Sequence, residues 1–293
     1  MLLLKIQRFL KNFFQVLETL IRVLIGSKYF LPLPKHVKQS DQMIILGNGP
    51  SLTRELDEYN HYLSAKDLIC VNNFPETDLF QEWKPVYYIL AAPELWREKV
   101  DDNSKERSDH LFKTINEKTN WPLTMFIPWE AKKFSRWQSH IKSNKSINVT
   151  YFNNVPVEGW KWFRELLFKL NLGMPRPHNV FIPAILLSIN MKYNRIYLLG
   201  ADHSWLGEIR VNDNNEVLIN QRHFYDQNKS EYKSMHKLGT GKRNLSEVLH
   251  KFMTSFNSYY ILNDYSKRFD CKILTSTKGS YIDAFDRYYF NDQ

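Results

Sequence analysis

Apolar residues recur at spacings of three and four through the first 24 residues, with basic residues between them. This spacing puts the apolar side chains on one face of a helix. Charged positions interrupt the segment too often for a transmembrane span, and it lacks the unbroken apolar core of a signal peptide. We therefore predict an amphipathic helix lying in a membrane interface; the alternative is a helix packed on the protein body or on a second subunit. The apolar positions are Leu3, Ile6, Leu10, Phe13, Leu17, Leu20 and Leu24.

A linker is predicted after this helix. Pro32 and Pro34 are followed by a polar run at 35–42, a composition typical of a segment that releases one element from a globular body. The predicted organisation is therefore a membrane-associating helix and linker at 1–35 and a catalytic body at 43–293.

Short runs of β-branched or aromatic residues alternate with helix-compatible stretches through the body. This alternation predicts an α/β fold, with a Rossmann-like, doubly wound and mostly parallel sheet and helices on both faces. Polar stretches at 97–120 and 204–244 are predicted surface insertions, and the second contains a hairpin around 212–215 within a lid at 204–250. The predicted strands are 43–46, 68–71, 86–90, 123–127, 149–152, 195–199 and 272–275.

Charge and cysteine content narrow the function classes. The formal net charge is +9, and residues 1–35 hold six basic residues against Glu18 alone, so most of the excess is N-terminal and indicates a membrane surface. The body lacks an aromatic-basic motif of a nucleic-acid reader. Cys70 and Cys271 have no paired Cys/His spacing, which excludes a disulfide framework and fits a reducing cytoplasm. We expect a cytoplasmic protein, peripheral on the inner face of the cell membrane.

The clearest local motif is Gly47-Asn48-Gly49-Pro50-Ser51, between a buried strand and a helix that begins near Ser51. Such a turn can expose backbone N–H groups and a helix N-terminus to an anion. It is not a Walker loop, because no Lys-Ser/Thr follows, and it lacks the third glycine of a dinucleotide fingerprint. A phosphate site and a simple tight strand-to-helix turn both remain open.

Polar residues stand at three further strand ends. Asn72 ends the second strand, Glu94 follows the third, and Asp202 and His203 follow the strand at 195–199. Ligands of open parallel sheets bind at the carboxyl ends of the strands, so these loops should converge with the glycine turn. Asn72 would then offer its amide to a polar ligand, unless it only closes an Asx turn.

In chain order these motifs resemble the bacterial sialyltransferases of glycosyltransferase family 42. The resemblance rests on the turn Gly-Asn-Gly-Pro-Ser-Leu, on Asn-Asn-Phe after the second strand, on an arginine before an apolar helix, and on Ile-Tyr-Leu-Leu-Gly-Ala-Asp after it. The resemblance spans about 43–285. A related group of similar fold, the archaeal pterin pyrophosphokinases and motility-associated proteins, shares the glycine turn. The resemblance implies a single-domain GT-A-like variant of the Rossmann-like fold with a small lid, a CMP-sugar donor, inversion without a metal, and a histidine base.

The resemblance also assigns residues to the donor. The glycine turn would face the donor phosphate and Asn72 the donor sugar. Two lid tyrosines of the family have no counterpart after Asp202, and its third-strand asparagine is replaced by Ala92; His223 and Tyr225 could take over the phosphate role. The expected donor-binding set is Gly47, Asn48, Gly49, Pro50, Ser51, Asn72, Asn179, Asp202, His203, His223 and Tyr225.

Two catalytic residues follow from the same resemblance. The family base stands at the start of the helix before the last strand, here predicted at 246–265, so His250 is the expected base. Arg176 would face the substrate carboxylate or the acceptor. By residue pattern alone His250 is a surface histidine. The other candidate bases are His203, His223 and His236.

No metal site is expected, because the chain has no Asp-x-Asp of the kind that metal-dependent glycosyltransferases use. Asp283 and Asp286 are interpreted as a cap and surface pair on a C-terminal helix. The CMP-sugar is a substrate, so no cofactor is expected.

The predicted activity is metal-independent, inverting transfer of a sialic-acid-like sugar to a lipid-linked glycan, as in lipopolysaccharide or capsule synthesis. The expected partners are the nucleotide-sugar donor, a glycan or glycolipid acceptor and a membrane contacted through residues 1–30, without nucleic acid; a homo-oligomer stays open. The alternatives are a Mg-dependent nucleotide or diphospho transferase of the same fold, and a catalytically inactive nucleotide-binding scaffold on the membrane.

Overall fold

A parallel sheet forms the centre of the computed structural model, which describes residues 1–34, 38–226, 231–237 and 241–290. The strands of these residues are β1 Gln42–Leu46, β2 Asp67–Val71, β3 Tyr87–Ile89, β4 Leu123–Pro128, β5 Ile147–Phe152, β6 Arg195–Leu199, β7 Ile209–Val211, β8 Val217–Ile219, β9 Lys233–Ser234, β10 His236–Lys237, β11 Gly241–Lys242, β12 Lys272–Thr275 and β13 Asp286–Arg287. The α-helices are α1 Leu2–Gly26, α2 Leu52–Leu63, α3 Leu79–Trp83, α4 Asp102–Lys118, α5 Ser135–Ile141, α6 Lys161–Lys169, α7 Phe181–Asn190 and α8 Leu245–Ser266.

The central sheet has the order β13-β12-β6-β1-β2-β3-β4-β5, and all its neighbouring strands are parallel. All seven predicted strands are present, so the predicted Rossmann-like α/β fold is confirmed. Alternate residues of β1 enter different cores: Met43 and Ile45 pack on one face, Ile44 and Leu46 on the other. A sheet buried on both faces requires continuous apolar runs, which is why its strands are legible in the sequence.

The path through the sheet fixes where a ligand should bind. From β1 the chain moves outward to β5, then returns to place β6 on the other side of β1. The strand order therefore reverses between β1 and β6, and open α/β sheets bind ligands outside the carboxyl ends of the strands at such a point. The glycine turn follows β1 there.

Two local predictions are wrong. The stretch 97–120 contains α4, the crossover helix between β3 and β4, and buries Leu111, Phe112 and Ile115. Its first turns are polar and solvent-exposed, so little of the sequence carries the apolar period. The other error is the C-terminal helix: Asp286 lies in β13, and the Asp283 carboxylate accepts a hydrogen bond of 2.5 Å from the Tyr260 hydroxyl.

The predicted lid contains the expected hairpin, because β7 and β8 pair antiparallel and β9 adds to β8. Residues 227–230 and 238–240 of this lid lie outside the described residues. The helix α8 begins at Leu245, inside the range 204–250, so the last six residues of the predicted lid belong to α8.

The N-terminal amphipathic helix is present as α1, and it packs on the body through a face other than the predicted apolar one. Thr19 and Val23 are buried, and the Thr19 hydroxyl donates to the Glu158 carbonyl (3.2 Å) and accepts from its N–H (3.0 Å). The seven predicted apolar residues remain between 41% and 75% exposed. No helix in the described ranges has the length and apolar character needed to cross a bilayer.

The segment between α1 and the predicted linker is fixed to the body, and within the linker Leu33 packs on the core and the Gln39 N–H donates to the Asp67 carboxylate at 3.3 Å. The Ser27 hydroxyl donates to the Leu172 carbonyl at 2.6 Å, and the Asn153 amide exchanges two 2.8 Å hydrogen bonds with the Lys28 backbone. Residues 35–37 of the predicted linker lie outside the described residues.

Candidate active site

The glycine turn is packed against the end of β6. The N–H of Gly47 donates to Leu199 O (2.8 Å) and that of Gly49 to Gly200 O (2.9 Å). A Cβ atom on Gly49 would lie 2.6 Å from the Gly200 carbonyl oxygen. Close approach of two backbones therefore accounts for the glycines, and these N–H groups are used within the protein.

The N-terminus of α2 is also satisfied internally. The Asp202 carboxylate accepts from the Ser51 hydroxyl at 2.8 Å and lies 3.5 Å from the Ser51 N–H. Burial raises the pKa of Asp202, although the hydrogen bonds from Ser51 oppose this shift. The negative group at this helix end is thus the protein's own carboxylate. Two expected donor-binding residues, Ser51 and Asp202, bind each other.

The lid descends onto the glycine turn. The Phe224 N–H donates to the Asn48 carbonyl at 3.1 Å, and the Phe224 ring contacts that of Phe74 at 5.9 Å between centroids. Tyr225 is next to the Asn48 amide, and burial raises the pKa of its hydroxyl. The fold therefore brings Asn48 and the lid together, although almost 180 residues separate them.

His223 is oriented by its neighbours in the lid turn. Its Nδ1 lies 3.2 Å from the Asp226 carboxylate, and its ring stacks on Tyr225 at 5.0 Å with an interplanar angle of 4°. A carboxylate on one ring nitrogen selects the tautomer and leaves the other nitrogen for a ligand.

Amide groups with unused hydrogen-bonding capacity stand at the ends of β1 and β2. The Asn48 amide donates to the Val71 carbonyl (3.1 Å), while its Oδ1 is buried without a partner among the described residues. Asn72 adopts a left-handed conformation (φ 50°) and is half-buried; its side chain makes no hydrogen bond within the described part of the chain. A buried orphan oxygen costs free energy and favours a polar ligand here.

His203 and Asn179 are hydrogen-bonded within the protein. His203 is 6% exposed, and its Nε2 lies 2.7 Å from the Tyr259 hydroxyl and 3.4 Å from the Asn179 amide nitrogen. Burial lowers the pKa of His203 to about 3. The Asn179 oxygen accepts the Phe181 N–H at the start of α7 (2.8 Å).

Arg176 binds a carboxylate of the protein. Its Nη2 lies 3.0 Å from Glu158 Oε1, and Arg22 of α1 binds the other oxygen of the same carboxylate at 2.9 Å. Burial opposes ionisation of Glu158, but the two arginines outweigh it and lower its pKa. The N-terminal helix is thereby linked to the loop before α7.

His250 lies on an exposed part of α8 and lines an apolar cleft of about 480 Å³. No hydrogen bond to its ring is present within the described ranges. His236, in β10, is exposed. The other residues lining the cleft are Leu206, Leu249, Phe252, Met253 and Phe256.

Sequence reasoning missed a group of basic side chains near His250 and Arg176. The group consists of His178, Arg243 and Lys251. They come from three segments, and no local motif joins them. Partial burial and then Lys251 and Arg176 lower the pKa of His178 to about 4, although His178 is an exposed residue. Among the described residues, no three His, Cys, Asp or Glu side chains are grouped so as to hold a metal ion.

In comparisons with known proteins, no family model matches the chain, and no curated protein sequence matches it. Among solved structures, the fold is similar to that of the MAf glycosyltransferase from Magnetospirillum magneticum AMB-1, with a TM-score of 0.50 and 10% sequence identity. The match covers 95% of this chain and 38% of that chain, so this chain spans about two fifths of the length of the protein that it matches.

Proposed function

We propose that the protein is a glycosyltransferase that moves a nonulosonic or related sugar from a CMP-sugar to a lipid-linked glycan, without a metal ion. The observation that carries the proposal is the lid turn seated on the glycine turn, where the Phe224 N–H meets the Asn48 carbonyl. This contact brings a His–Asp pair and a half-buried tyrosine to the carboxyl edge of the sheet. The fold that it shares with a glycosyltransferase is compatible with this chemistry but does not select the donor.

Cleavage of a CMP-sugar releases a phosphate monoester, which is already a good leaving group. The protein then has to supply a base for the acceptor hydroxyl and fixed donors for the departing charge. His250 is the proposed base, because it stands near the start of α8, where the resemblance expects the base, and lines an apolar cleft. His223 and Tyr225 are the proposed phosphate contacts, because they stand beside Asn48.

Calorimetric titration of the full chain with CMP, UDP, GDP and ATP, each with and without Mg²⁺, tests the donor class. We expect CMP to bind most tightly and without Mg²⁺. Preferential, Mg²⁺-dependent binding of ATP would instead indicate a nucleotide or diphospho transferase. Metal-free CMP binding without turnover of any CMP-sugar would indicate the scaffold alternative.

Separate alanine substitutions at His250 and His223 should have different kinetic effects. His250→Ala is expected to lower kcat by about 10²–10⁴-fold with CMP affinity retained, because only the base is removed. His223→Ala is expected to weaken CMP binding. The matched control is His61→Ala, at an exposed histidine of α2. Unchanged kcat in His250→Ala would remove His250 as the base.

The exposed side of α1 is the proposed membrane contact. Leu3 and Leu24 are its two most exposed predicted positions, and replacing both with glutamate should weaken binding to phosphatidylglycerol vesicles at least about ten-fold. The control is the double variant Val211→Glu/Tyr281→Glu, which changes charge equally at exposed apolar residues of the body. Cosedimentation measures both, and equal binding by the two double variants would contradict the proposal.

A further inference from the structure

Basic side chains from three separate segments converge beside the apolar cleft. Arg176 and His178 lie in the loop before α7, Arg243 ends the lid, and Lys251 belongs to the first half of α8. The Ser258 hydroxyl of α8 donates to the Arg176 carbonyl at 3.2 Å, which fixes the loop against the helix. Charges this far apart in sequence meet only because these elements pack together.

Met235 holds Arg243 and Lys251 next to each other. The Arg243 N–H donates to the Met235 carbonyl at 2.8 Å, and Lys251 Nζ lies 3.9 Å from the Met235 sulfur. The Arg243 Nε is buried, with no hydrogen-bond partner among the described residues. A buried donor without a partner and a half-buried lysine beside a thioether both cost free energy. An anionic ligand at this point would recover that cost.

The local charge balance is positive. Burial lowers the pKa of Lys251, and Arg243 lowers it further, while Glu94 is the acid that opposes this shift. The carboxylate of Glu247 is paired with Lys237, and that of Glu158 is shared by two arginines. Among the described residues, no carboxylate forms an ion pair with Lys251 or Arg243. At neutral pH the ring of His178 is uncharged and can donate one hydrogen bond.

We propose that Arg243, Lys251 and His178, with Arg176 at their edge, form a binding site for a phosphate ester. A planar guanidinium and an ammonium group beside a neutral donor match the oxygens of a phosphate. The N-terminus of α2 is a poorer site, because the Asp202 carboxylate already accepts the Ser51 hydroxyl there. The site stands independently of the proposed function, and only the source of the ester, donor nucleotide or phosphorylated acceptor, rests on it.

Titration of the full chain with inorganic phosphate and pyrophosphate tests the site. Wild-type protein should bind either anion with an affinity that falls as salt rises, whereas Lys251→Met and Arg243→Gln should each raise the dissociation constant at least ten-fold. Lys267→Met removes the same charge just beyond the other end of α8 and should change it less than two-fold. Equal binding by wild type and Lys251→Met, or no binding at millimolar phosphate, would overturn the proposal.

Two further measurements separate loss of the site from loss of the fold. One is the melting temperature of a variant, and the other is a titration of the wild-type protein. Lys251→Met should melt at the same or a higher temperature, because it replaces a half-buried cation with an apolar chain. In the wild type, phosphate should raise the pKa of His178, followed by the proton resonances of its ring. A His178 titration that phosphate leaves unchanged would count against its place in the site.

Competition identifies the source of the ester. Displacement of phosphate by CMP but not by cytidine would assign the site to the donor phosphate, in place of His223 and Tyr225. Displacement by a sugar 1-phosphate but not by CMP would assign it to the acceptor. If neither ester competes, the proposal is wrong. If the wild-type protein binds phosphate but transfers no sugar from any CMP-sugar, the proposed function is wrong and the proposed phosphate site is retained.

Discussion

Replacing Gly49 with alanine should destabilise the protein by roughly 3 kcal/mol or more. The new methyl group would lie 2.6 Å from the Gly200 carbonyl oxygen and 2.8 Å from the Asp202 carboxyl carbon. Gly200 has no freedom to retreat, because its N–H donates to the buried Glu55 carboxylate at 2.7 Å. Asp202 is held by Ser51. The clash therefore falls on two fixed groups.

Urea denaturation of Gly49→Ala and Gly207→Ala measures this effect against a matched control. A Cβ atom on Gly207 would have its nearest neighbour, the Tyr281 hydroxyl, at 3.5 Å, an ordinary contact. The free energy of unfolding of Gly207→Ala should stay within about 0.5 kcal/mol of wild type. Similar losses in the two variants would show that the close approach of the glycine turn to β6 is not what destabilises Gly49→Ala.

Acidification from pH 7 to pH 5 should cost wild-type protein about 2 kcal/mol more than it costs His203→Asn. The folded-state pKa of His203 is about 3, well below the unfolded value of about 6.5. Below pH 6.5 His203 is therefore protonated in the unfolded chain but stays neutral in the folded protein. The free energy of unfolding falls as the pH falls. Asparagine tolerates the left-handed backbone of this position (φ 53°) and does not titrate here.

The comparison removes the contributions of the carboxylates, which titrate alike in both proteins. His203→Asn is expected to be less stable at pH 7, because the ring packs against Trp205 and Phe181 at centroid distances of 5.0 and 5.6 Å. His61→Asn, at an exposed histidine, should follow the wild-type pH dependence. Equal losses in wild type and His203→Asn between pH 7 and pH 5 would contradict the buried neutral ring.

The strands were predictable because the sheet is buried on both faces, which imposes unbroken apolar runs such as 43–46. The helix α4 was not, because its buried residues, Leu111, Phe112 and Ile115, are compressed into little more than one turn after a polar start. The two-residue strand β13 is Asp-Arg, a pair with no strand propensity of its own, and it exists only because β12 offers a free edge.

The candidate site was predictable in position but not in chemistry. The strand-end rule predicts that the loop carrying Asp202 meets the glycine turn, as it does, yet a sequence cannot reveal that Asp202 binds Ser51 and fills the helix end. The basic group is different, because the local sequence around His178, Arg243 and Lys251 contains no motif that indicates a site. These side chains come close together only when α8 packs against the loop before α7.

Glu158 joins α1 to the loop before α7, because its carboxylate binds both Arg22 and Arg176. Under the proposed function, α1 would therefore contact the membrane while joined to the body through this carboxylate. The 25 residues of α1 measure about 37 Å, so under the proposed function a membrane contact along this helix would orient the attached body and its cleft. Under the proposed function, the distance of the acceptor hydroxyl from the membrane then contributes to specificity. A sugar too near the bilayer, or too far out along its glycan, does not reach His250.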